Sequence, residues 1–332
     1  MSSPRIRLAL AAVATLAAAT LGVATRAAQA ASLSTGVVDV STNLAYQNAS
    51  AAGTGMVLTA SGEVLTNNHV IRGATTIRVT DPSTGRSYAA TVVGYSVASD
   101  VAVLQLSGAA HLHPIVRGNS SNVRVGQRVT AVGNAGGVGG KPSSSTGKVT
   151  GVGRTIVASD GEGLSEQLVG LIRTNAPLQP GDSGGPLLNA AGRVIGMDTA
   201  ASVGFQLQSA NESYAIPINR ALALAKQMEA GVASATVHIG STAFLGVSVG
   251  PAAGGQAGAL VAQVVPGSPA DHAGIVAGDT ITALDGQTVA TYDALGPMLL
   301  QHAAGDTVTL DWLDQTGAAQ TASIQTAAGP PQ

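Results

Sequence analysis

Three short segments of the sequence carry side chains that could act together on a carbonyl group. Ser183 lies within Gly-Asp-Ser-Gly-Gly-Pro at 181–186, His69 follows an apolar run, and Asp100 precedes another apolar run. A serine hydroxyl becomes a nucleophile when a neighbouring base takes its proton and a third group orients that base. We therefore expect Ser183 to attack, His69 to act as general base and then acid, and Asp100 to hold the imidazole.

The glycines around Ser183 suit the second requirement of carbonyl chemistry, which is a site for the oxyanion. Glycine lets the backbone turn sharply and approach a substrate without a Cβ. The amides of Gly181 and Ser183 are therefore predicted to form an oxyanion hole. Taken alone, a Ser-Gly-Gly segment is also compatible with an ordinary turn. The chain order His69, Asp100, Ser183 favours catalysis, because chymotrypsin-type barrels use this order whereas subtilisins and α/β-hydrolases do not.

The elements that must position these residues have the pattern of short strands. From 53 to about 215, runs rich in Val, Ile and Thr alternate with clusters of Gly, Asn, Asp and Ser. Such a pattern predicts an antiparallel barrel or sandwich. At 219–230 the apolar period becomes helical, with Asn219 as the predicted cap and Gly231 as the stop. Residues 231–241 have the composition of a linker, although they could also pair as a strand.

A second unit, predicted over 242–328, mixes strands with short helices. A turn at 314–317 separates two alternating runs, which predict a hairpin of 307–313 with 319–325. A helix is predicted over about 292–303. The residues from 329 onward contain two prolines and are predicted to be loose.

The first 30 residues are predicted to be a secretory signal. Arg5 and Arg7 precede an apolar stretch over 8–23, and Ala-Gln-Ala at 28–30 offers a small-residue cleavage site. The apolar stretch is nearly long enough to span a membrane, so an uncleaved anchor stays open. Either way, the chain from residue 31 is expected outside the cytoplasm, secreted or in the cell envelope.

Composition excludes several classes of function. The net charge is −2 and aromatic residues make up 2%, so neither a basic surface nor a base-stacking platform predicts nucleic-acid binding. The absence of Cys excludes disulfides, zinc thiolates and a cysteine nucleophile. His111 and His113 form a His-x-His pair, but no acidic residue or Cys clusters beside them, so we predict no metal site. No cofactor motif is present.

The three segments resemble the catalytic blocks of HtrA-type, trypsin-like serine proteases, and the most similar kind is the secreted actinobacterial one with a single PDZ domain. The matching blocks are Thr-Asn-Asn-His-Val at 66–70, Ser-Asp-Val-Ala-Val-Leu at 99–104 and the segment 181–186. This resemblance implies a mostly β protein. A double six-stranded antiparallel barrel over 31–230 would be followed by a small α+β PDZ domain over 242–328.

The resemblance also implies further site residues. Leu178 would line the primary specificity pocket, and since nothing there is acidic, small or medium aliphatic residues are expected before the cleaved bond. Thr199 would donate a hydrogen bond to Asp100. A peptide's terminal carboxylate would be received by a PDZ loop made of Phe244, Leu245, Gly246 and Val247.

These observations predict a secreted serine endopeptidase that cleaves unfolded or misfolded proteins and binds C-terminal or extended peptides at its PDZ domain. One alternative is a chaperone-like peptide-binding protein with a latent protease domain, and another is a non-peptidase acyl hydrolase. The sequence leaves the natural substrate and the formation of homo-oligomers open.

Overall fold

The computed structural model describes residues 33–159, 165–199, 212–252 and 256–332. The predicted signal at 1–30 lies outside the described residues. Within the described part of the chain, no helix is long and apolar enough to cross a membrane. Most of the regular structure is strand, as the sequence pattern predicts.

The first barrel is a closed ring of six strands. Strand β1 pairs with β2 on one side and β4 on the other, and β5 closes the ring on β6. Alternating Val and Ile side chains fill its interior, including Val40, Val64 and Val79, which are all fully buried. The strands are β1 (Val37–Leu44), β2 (Ala49–Val57), β3 (Glu63–Thr66), β4 (Thr76–Asp81), β5 (Arg86–Ser96) and β6 (Val101–Leu106).

The second barrel is also closed and six-stranded, with the order β10-β11-β12-β9-β8-β7. The fold class predicted from the sequence, a double antiparallel barrel, is therefore confirmed. The strands are β7 (Arg128–Gly133), β8 (Ser143–Ser159), β9 (Ser165–Thr174), β10 (Pro186–Asn189), β11 (Val194–Thr199) and β12 (Ser213–Pro217).

Helix α1 (Asn68–Ile71) follows β3, and helix α2 (Ile218–Glu229) directly follows β12. Helix α2 buries Ala221, Ala225 and Met228 on one face, as expected for side chains three and four residues apart. It packs on β5 and β6 of the first barrel and on β11 of the second. Helix α2 therefore holds the two barrels together.

The predicted cap of α2 is wrong. The residue at the N-cap position is Pro217, and Asn219 lies inside the first turn. The Asn219 side chain instead binds the neighbouring loop, where its amide donates to Asn119 Oδ1 at 2.8 Å and its oxygen accepts from the Ser120 amide at 3.2 Å. Because β12 runs straight into the helix, no separate capping residue fits between them.

The second unit is a five-stranded antiparallel path, β15-β16-β17-β19-β20, with β18 attached to β17. Its own core includes Leu245, Ile281, Leu310 and Trp312. The predicted hairpin has the predicted bounds. The elements are β15 (Val247–Pro251), β16 (Ala259–Val264), α3 (Pro269–His272), β17 (Thr280–Leu284), β18 (Gln287–Thr288), α4 (Leu295–Leu299), β19 (Thr307–Leu313) and β20 (Ala319–Gln325).

The helix predicted over 292–303 is shorter than expected. It consists of a 3-10 turn at Tyr292–Ala294 followed by α4. Beyond α4 the chain tightens, because the amides of Gln301 and His302 donate to carbonyls only three residues back. The Ala303 amide then donates to Asp306 Oδ2 at 2.8 Å, which turns the chain toward β19.

Three further short strands lie where the two units meet. They are β13 (His238–Ile239), β14 (Thr242–Phe244) and β21 (Ala327–Gly329). Strand β13 adds to β5 of the first barrel, so the linker pairs as a strand, and β14 pairs with β21. The Tyr95 hydroxyl on β5 lies 2.6 Å from Thr242 Oγ1, and burial raises the pKa of this Tyr95 hydroxyl.

The prediction of a loose tail from 329 is also wrong. Pro331 is buried, and its carbonyl accepts a hydrogen bond from the Gly73 amide at 2.8 Å. The Asn68 side chain on α1 donates to a Gln332 backbone oxygen at 2.9 Å. The sequence of the tail, which is made of prolines and polar residues, does not predict these contacts. They depend on a surface that the first barrel supplies.

Candidate active site

His69 is fixed at the start of α1 by the carboxylate of Asp100. Its Nδ1 lies 3.0 Å from Asp100 Oδ1 and 2.9 Å from Oδ2, and its backbone amide donates to Oδ1 at 3.0 Å. The two side chains are 4% and 1% exposed. Because a buried carboxylate strongly prefers such donors, this arrangement orients the ring and favours a proton on Nδ1. The other ring nitrogen, Nε2, is then the one suited to act as a base.

Asp100 has three hydrogen-bonding partners, which are His69, Thr199 and Asn67. Thr199 Oγ1 donates to Asp100 Oδ2 at 3.1 Å, which is the contact that the family resemblance implies. Asn67 Nδ2 donates to the Asp100 carbonyl at 2.9 Å. The Asp100 backbone has φ +52°, a left-handed conformation that costs about 1–2 kcal/mol for an ordinary residue. The three hydrogen-bonding partners offset this strain and keep the carboxylate facing His69.

Ser183 lies in a tight segment, 181–186, which we call the nucleophile segment. Gly181 has φ +97° and Gly184 has φ +87°, conformations that favour glycine. A Cβ on Gly181 would collide with the Asn134 carbonyl oxygen, and a Cβ on Gly184 would collide with the Thr54 carbonyl oxygen. Both glycines are therefore required by close backbone contact as well as by backbone angle.

The first barrel brings the nucleophile segment and α1 to the same place. The Thr54 amide on β2 donates to the Ser183 carbonyl at 2.8 Å. A Cβ built on the neighbouring Gly53 would lie 3.2 Å from the Ser183 carbonyl oxygen and 2.7 Å from both Val70 methyl groups. Because Val70 directly follows His69, Gly53 is the point at which the segment carrying Ser183 and the helix carrying His69 come together.

Thr54 is a site residue that the sequence analysis missed. It is fully buried on β2, and its hydroxyl donates to the Gly181 carbonyl at 2.7 Å and accepts from the Asn134 amide at 2.8 Å. Thr66 Oγ1, at the end of the strand that leads to His69, donates to the Thr54 carbonyl at 2.7 Å. Thr54 therefore ties the nucleophile segment to the first barrel, and a threonine in a strand gives no signal of such a role.

The structure places the predicted oxyanion donors in the same tight turn. The amide of Asp182 donates to the Gln179 carbonyl at 3.0 Å, and that of Gly185 to the Asp182 carbonyl at 3.0 Å. Among the residues that the structure describes, the Gly181 amide has no acceptor. An oxyanion hole requires a donor of this kind, available beside the nucleophile.

Leu178 lies beside the second barrel and is half-buried against its core. Its amide donates to Ser213 Oγ on β12 at 3.4 Å. Glu212, the acidic residue next to β12, is paired with Arg173 at 2.8 Å and accepts the Tyr214 hydroxyl at 2.6 Å. This pairing engages the Glu212 carboxylate, and Leu178 itself packs against apolar residues of the second barrel.

Two buried carboxyl groups lie at the nucleophile segment: Asp182 belongs to it, and Asp198 is hydrogen-bonded to it through its backbone. Burial raises the pKa of Asp182. The pKa of Asp198 on β11 is raised well above its usual range by burial and by the charge of Asp182. The sequence analysis did not single out either carboxyl as part of the site.

The predicted PDZ loop begins at the end of β14. Leu245 is buried in the core of this domain, and Gly246 has φ +85° with no room for a Cβ against Ser268. The carbonyls of Leu245 and Gly246 accept hydrogen bonds from the amides of Ala270 at 2.9 Å and Val265 at 2.8 Å. Val247 then starts β15.

Phe244, the first residue of this loop, contacts the other domain. Its ring stacks on Tyr46 of the first barrel, with centroids 5.3 Å apart and an angle of 17° between the planes. Stacked aromatic rings at this separation attract each other by about 0.5–1.5 kcal/mol beyond the burial of their surface. The loop therefore has a direct contact with the double barrel.

No cluster of three or more His, Cys, Asp or Glu residues suited to hold a metal ion occurs within the described ranges. His111 and His113 are both exposed. Neither residue contributes to the His69–Asp100 site.

Comparisons with known protein families match two regions of the chain. The family described as the trypsin-like peptidase domain matches residues 53–197, and the PDZ domain family matches residues 243–326. Each matched region coincides with one of the two structural units described above.

Several curated proteases are similar to most of the chain. Serine protease PepD of Mycobacterium tuberculosis is 32% identical over 87% of this chain and 63% of its own length. The putative serine protease HhoA of Synechocystis is 33% identical over 79% of this chain and 67% of its own length. The periplasmic serine endoprotease DegP of Escherichia coli is 34% identical over 79% and 54%. The chain thus spans between half and two thirds of the length of these relatives.

Solved structures of HtrA-type proteases are also similar to most of the chain. A structure described as HtrA-type protease AlgW with decapeptide is 26% identical, with a TM-score of 0.51, and the match covers 91% of this chain and 99% of that one. AlgW with tripeptide is 28% identical, with a TM-score of 0.52 and coverage of 91% and 98%.

Proposed function

This chain belongs to the HtrA-type family of trypsin-like serine proteases with one PDZ domain, and from this premise we propose that it is a serine endopeptidase acting on unfolded polypeptides. The observation that carries the proposal is the buried His69–Asp100 contact, placed beside the segment that holds Ser183. Curated relatives are named as serine proteases and endoproteases, which supports this class of reaction.

In the proposed mechanism, Ser183 Oγ attacks the peptide carbonyl while His69 Nε2 takes its proton. Asp100 holds the Nδ1–H and stabilises the imidazolium that forms. The Gly181 and Ser183 amides stabilise the oxyanion of the tetrahedral intermediate. His69 then gives the proton to the leaving amine, and a water molecule activated by the same imidazole releases the acyl group from Ser183.

We propose that aliphatic residues are preferred before the cleaved bond. Leu178 presents an apolar side chain at the second barrel, and Arg173 and Tyr214 occupy the nearby carboxylate of Glu212. The Glu212 carboxylate is therefore not available to a substrate lysine or arginine. Profiling with peptide libraries that returned a strict preference for lysine or arginine would overturn this proposal.

The PDZ domain is proposed to bind a C-terminal or extended peptide as an added strand along β15, on the side facing α4. The loop of Phe244, Leu245, Gly246 and Val247 would receive the terminal carboxylate through its amides. The relative AlgW was solved with a decapeptide and with a tripeptide, which supports peptide binding in the family. Relatives named as periplasmic support a location outside the cytoplasm.

Fluorophosphonate labelling together with casein degradation tests the proposed function. The chain should react with the probe and degrade unfolded casein, and Ser183→Ala should do neither. Ser96→Ala is the matched control, since Ser96 is equally buried but lies on β5. A folded chain that binds C-terminal peptides without labelling would instead indicate a peptide-binding, chaperone-like protein, and labelling without casein degradation would indicate a non-peptidase acyl hydrolase.

A further inference from the structure

Two buried carboxyl groups lie next to the nucleophile Ser183. Asp182 precedes Ser183 and is 5% exposed, and Asp198 on β11 is 0% exposed. The backbone locks Asp198 to the nucleophile segment: the Gly184 amide donates to the Asp198 carbonyl at 2.9 Å, and the Asp198 amide donates to the Gly185 carbonyl at 2.8 Å. Any change at Asp198 is therefore transmitted to the residues beside Ser183.

The oxygens of this pair have very few hydrogen-bond partners. Asp182 Oδ2 accepts the Gln179 amide at 2.9 Å, whereas Asp182 Oδ1 and both Asp198 side-chain oxygens have no partner among the described residues. An ionised carboxylate needs several donors to replace water, and a neutral carboxylic acid needs fewer. Two neighbouring carboxylates in this setting cannot both ionise without a large penalty.

The cations on and just after β7, on β9 and on α2 are exposed or bound elsewhere and do not compensate the pair. Arg128 on β7 and Lys141 in the following loop are exposed, as is Lys226 on α2. Arg220 on α2 donates to the Val169 carbonyl at 2.6 Å and to Ser99 Oγ at 3.0 Å. On β9, Arg173 is held by Glu212, as described above.

The remaining titratable neighbours are also engaged elsewhere. Tyr214 on β12 donates to Glu212. Asp100 faces Thr199, and because side chains alternate along a strand, Asp198 points to the opposite face of β11. The sequence after β11, over 200–211, contains no charged residue. None of these groups therefore balances the charge that Asp182 and Asp198 would carry if both ionised.

We propose that Asp182 and Asp198 are positioning residues that keep at least one proton between them, and that the oxyanion site exists in that state and is lost when both groups ionise. This inference rests on the proposed function, because it concerns the same nucleophile segment. As pH rises the O–H bond of the remaining acid breaks, its electron pair stays on the carboxylate and the proton passes to solvent, and no bond between heavy atoms changes. Two buried negative charges would draw the segment toward water and would oppose the negative charge that develops on the substrate oxygen.

The test is the pH dependence of fluorophosphonate labelling between about pH 5 and pH 10. In the natural chain the rate should fall above the apparent pKa of the pair, by about tenfold for each pH unit. Asp198→Asn keeps the shape of the side chain but cannot ionise, so on the alkaline side its rate should stay within about twofold of its maximum, while the acid side, where His69 becomes protonated, should be unchanged. Asp279→Asn is the matched control, because Asp279 is 1% exposed and lies in the PDZ domain; it should keep the alkaline fall.

A second readout does not depend on catalysis. The natural chain at neutral pH should show the infrared carbonyl band of a protonated carboxylic acid, and this band should be reduced in Asp198→Asn. If Asp198→Asn does not fold, the same difference measured with Asp182→Asn replaces it.

Two results would overturn the inference: a flat alkaline profile in the natural chain, or an equal fall in Asp198→Asn. Absence of the infrared band from the difference spectrum would do so as well. Failure of the proposed function looks different, because labelling would then be absent from every variant at every pH while the infrared band remained.

Discussion

Replacing Thr54 by valine should damage catalysis although this side chain lies on the first barrel and Ser183 on the second. Valine keeps the shape of threonine but removes the hydroxyl that joins the Gly181 carbonyl at 2.7 Å to the Asn134 amide at 2.8 Å. Both groups then lose a buried partner, and each loss costs about 1–3 kcal/mol. We expect the free energy of unfolding to fall by about 2 kcal/mol or more.

The effect on activity should exceed what a general loss of stability explains. Gly181 supplies a proposed oxyanion donor, and the loss of one such donor lowers turnover by about 10²–10³-fold. We therefore expect Thr54→Val to lower kcat/KM by about 10²-fold, mainly through kcat, when assayed well below its unfolding midpoint. Thr54→Ser restores the hydroxyl and should recover most of this loss.

Thr42→Val provides the matched control. Thr42 is a buried threonine of β1 whose hydroxyl makes longer contacts, at 3.2 Å to the Ala51 carbonyl and 3.4 Å to the Val70 carbonyl. This variant should keep kcat/KM within about twofold, since one weak hydrogen bond contributes about 1 kcal/mol to stability and Thr42 does not touch the nucleophile segment. Equal loss of kcat/KM in Thr54→Val and Thr54→Ser, or an unchanged kcat/KM in Thr54→Val, would refute the assigned role of the hydroxyl.

Three further predictions follow from the same site. Thr199→Val removes one hydrogen bond to Asp100 and should lower kcat about tenfold, which corresponds to about 1.4 kcal/mol, with little change in KM. Steady-state kinetics test this, and a larger change in KM than in kcat would contradict it. Gly184→Ala places a Cβ against the Thr54 carbonyl and should lower the free energy of unfolding by more than about 3 kcal/mol. Gly267→Ala is the control, because Gly267 has φ +74° but open space around it, and it should lower the free energy of unfolding by about 1–2 kcal/mol. Thermal melts compare the two variants, and similar melting temperatures would contradict the prediction. Because burial raises the pKa of Asp198, its contribution to stability is full below about pH 4 and is lost as the pH rises through the folded-state pKa. Urea midpoints at about pH 5 and pH 8 should therefore fall with pH, less so in Asp198→Asn, and a rise in midpoint for both proteins would contradict this.

The sequence predicted the fold and the principal candidate side chains because both leave local signals. His69 and Asp100 lie at strand ends, and Ser183 lies between glycines, so residue type and neighbours were sufficient to select them. The strand pattern predicted an antiparallel barrel or sandwich, since alternating apolar residues and turn residues mark each strand directly, and the resemblance of the three catalytic blocks implied the double barrel.

What the sequence did not predict depends on contacts between distant parts of the chain. Thr54 and Asp198 look like ordinary strand residues, and their importance arises only when β2 and β11 close around the nucleophile segment. The tail at 329–332 lacks any periodic pattern, and its place is set by a surface of the first barrel. Asn219 had the right residue type for a cap, but the direct entry of β12 into α2 removed the position it would have filled.

The contacts of the 327–332 segment have a consequence for how the two domains can be exchanged. This segment is the last strand of the PDZ side and also reaches α1, the helix that carries His69. A protease half cut before residue 242 would expose Asn68 and Tyr95, and a PDZ half grafted from a relative would need to bring a matching end. Exchanging one domain alone would therefore break these contacts, and the protease half by itself would lack the partners that Asn68 and Gly73 have in the whole chain.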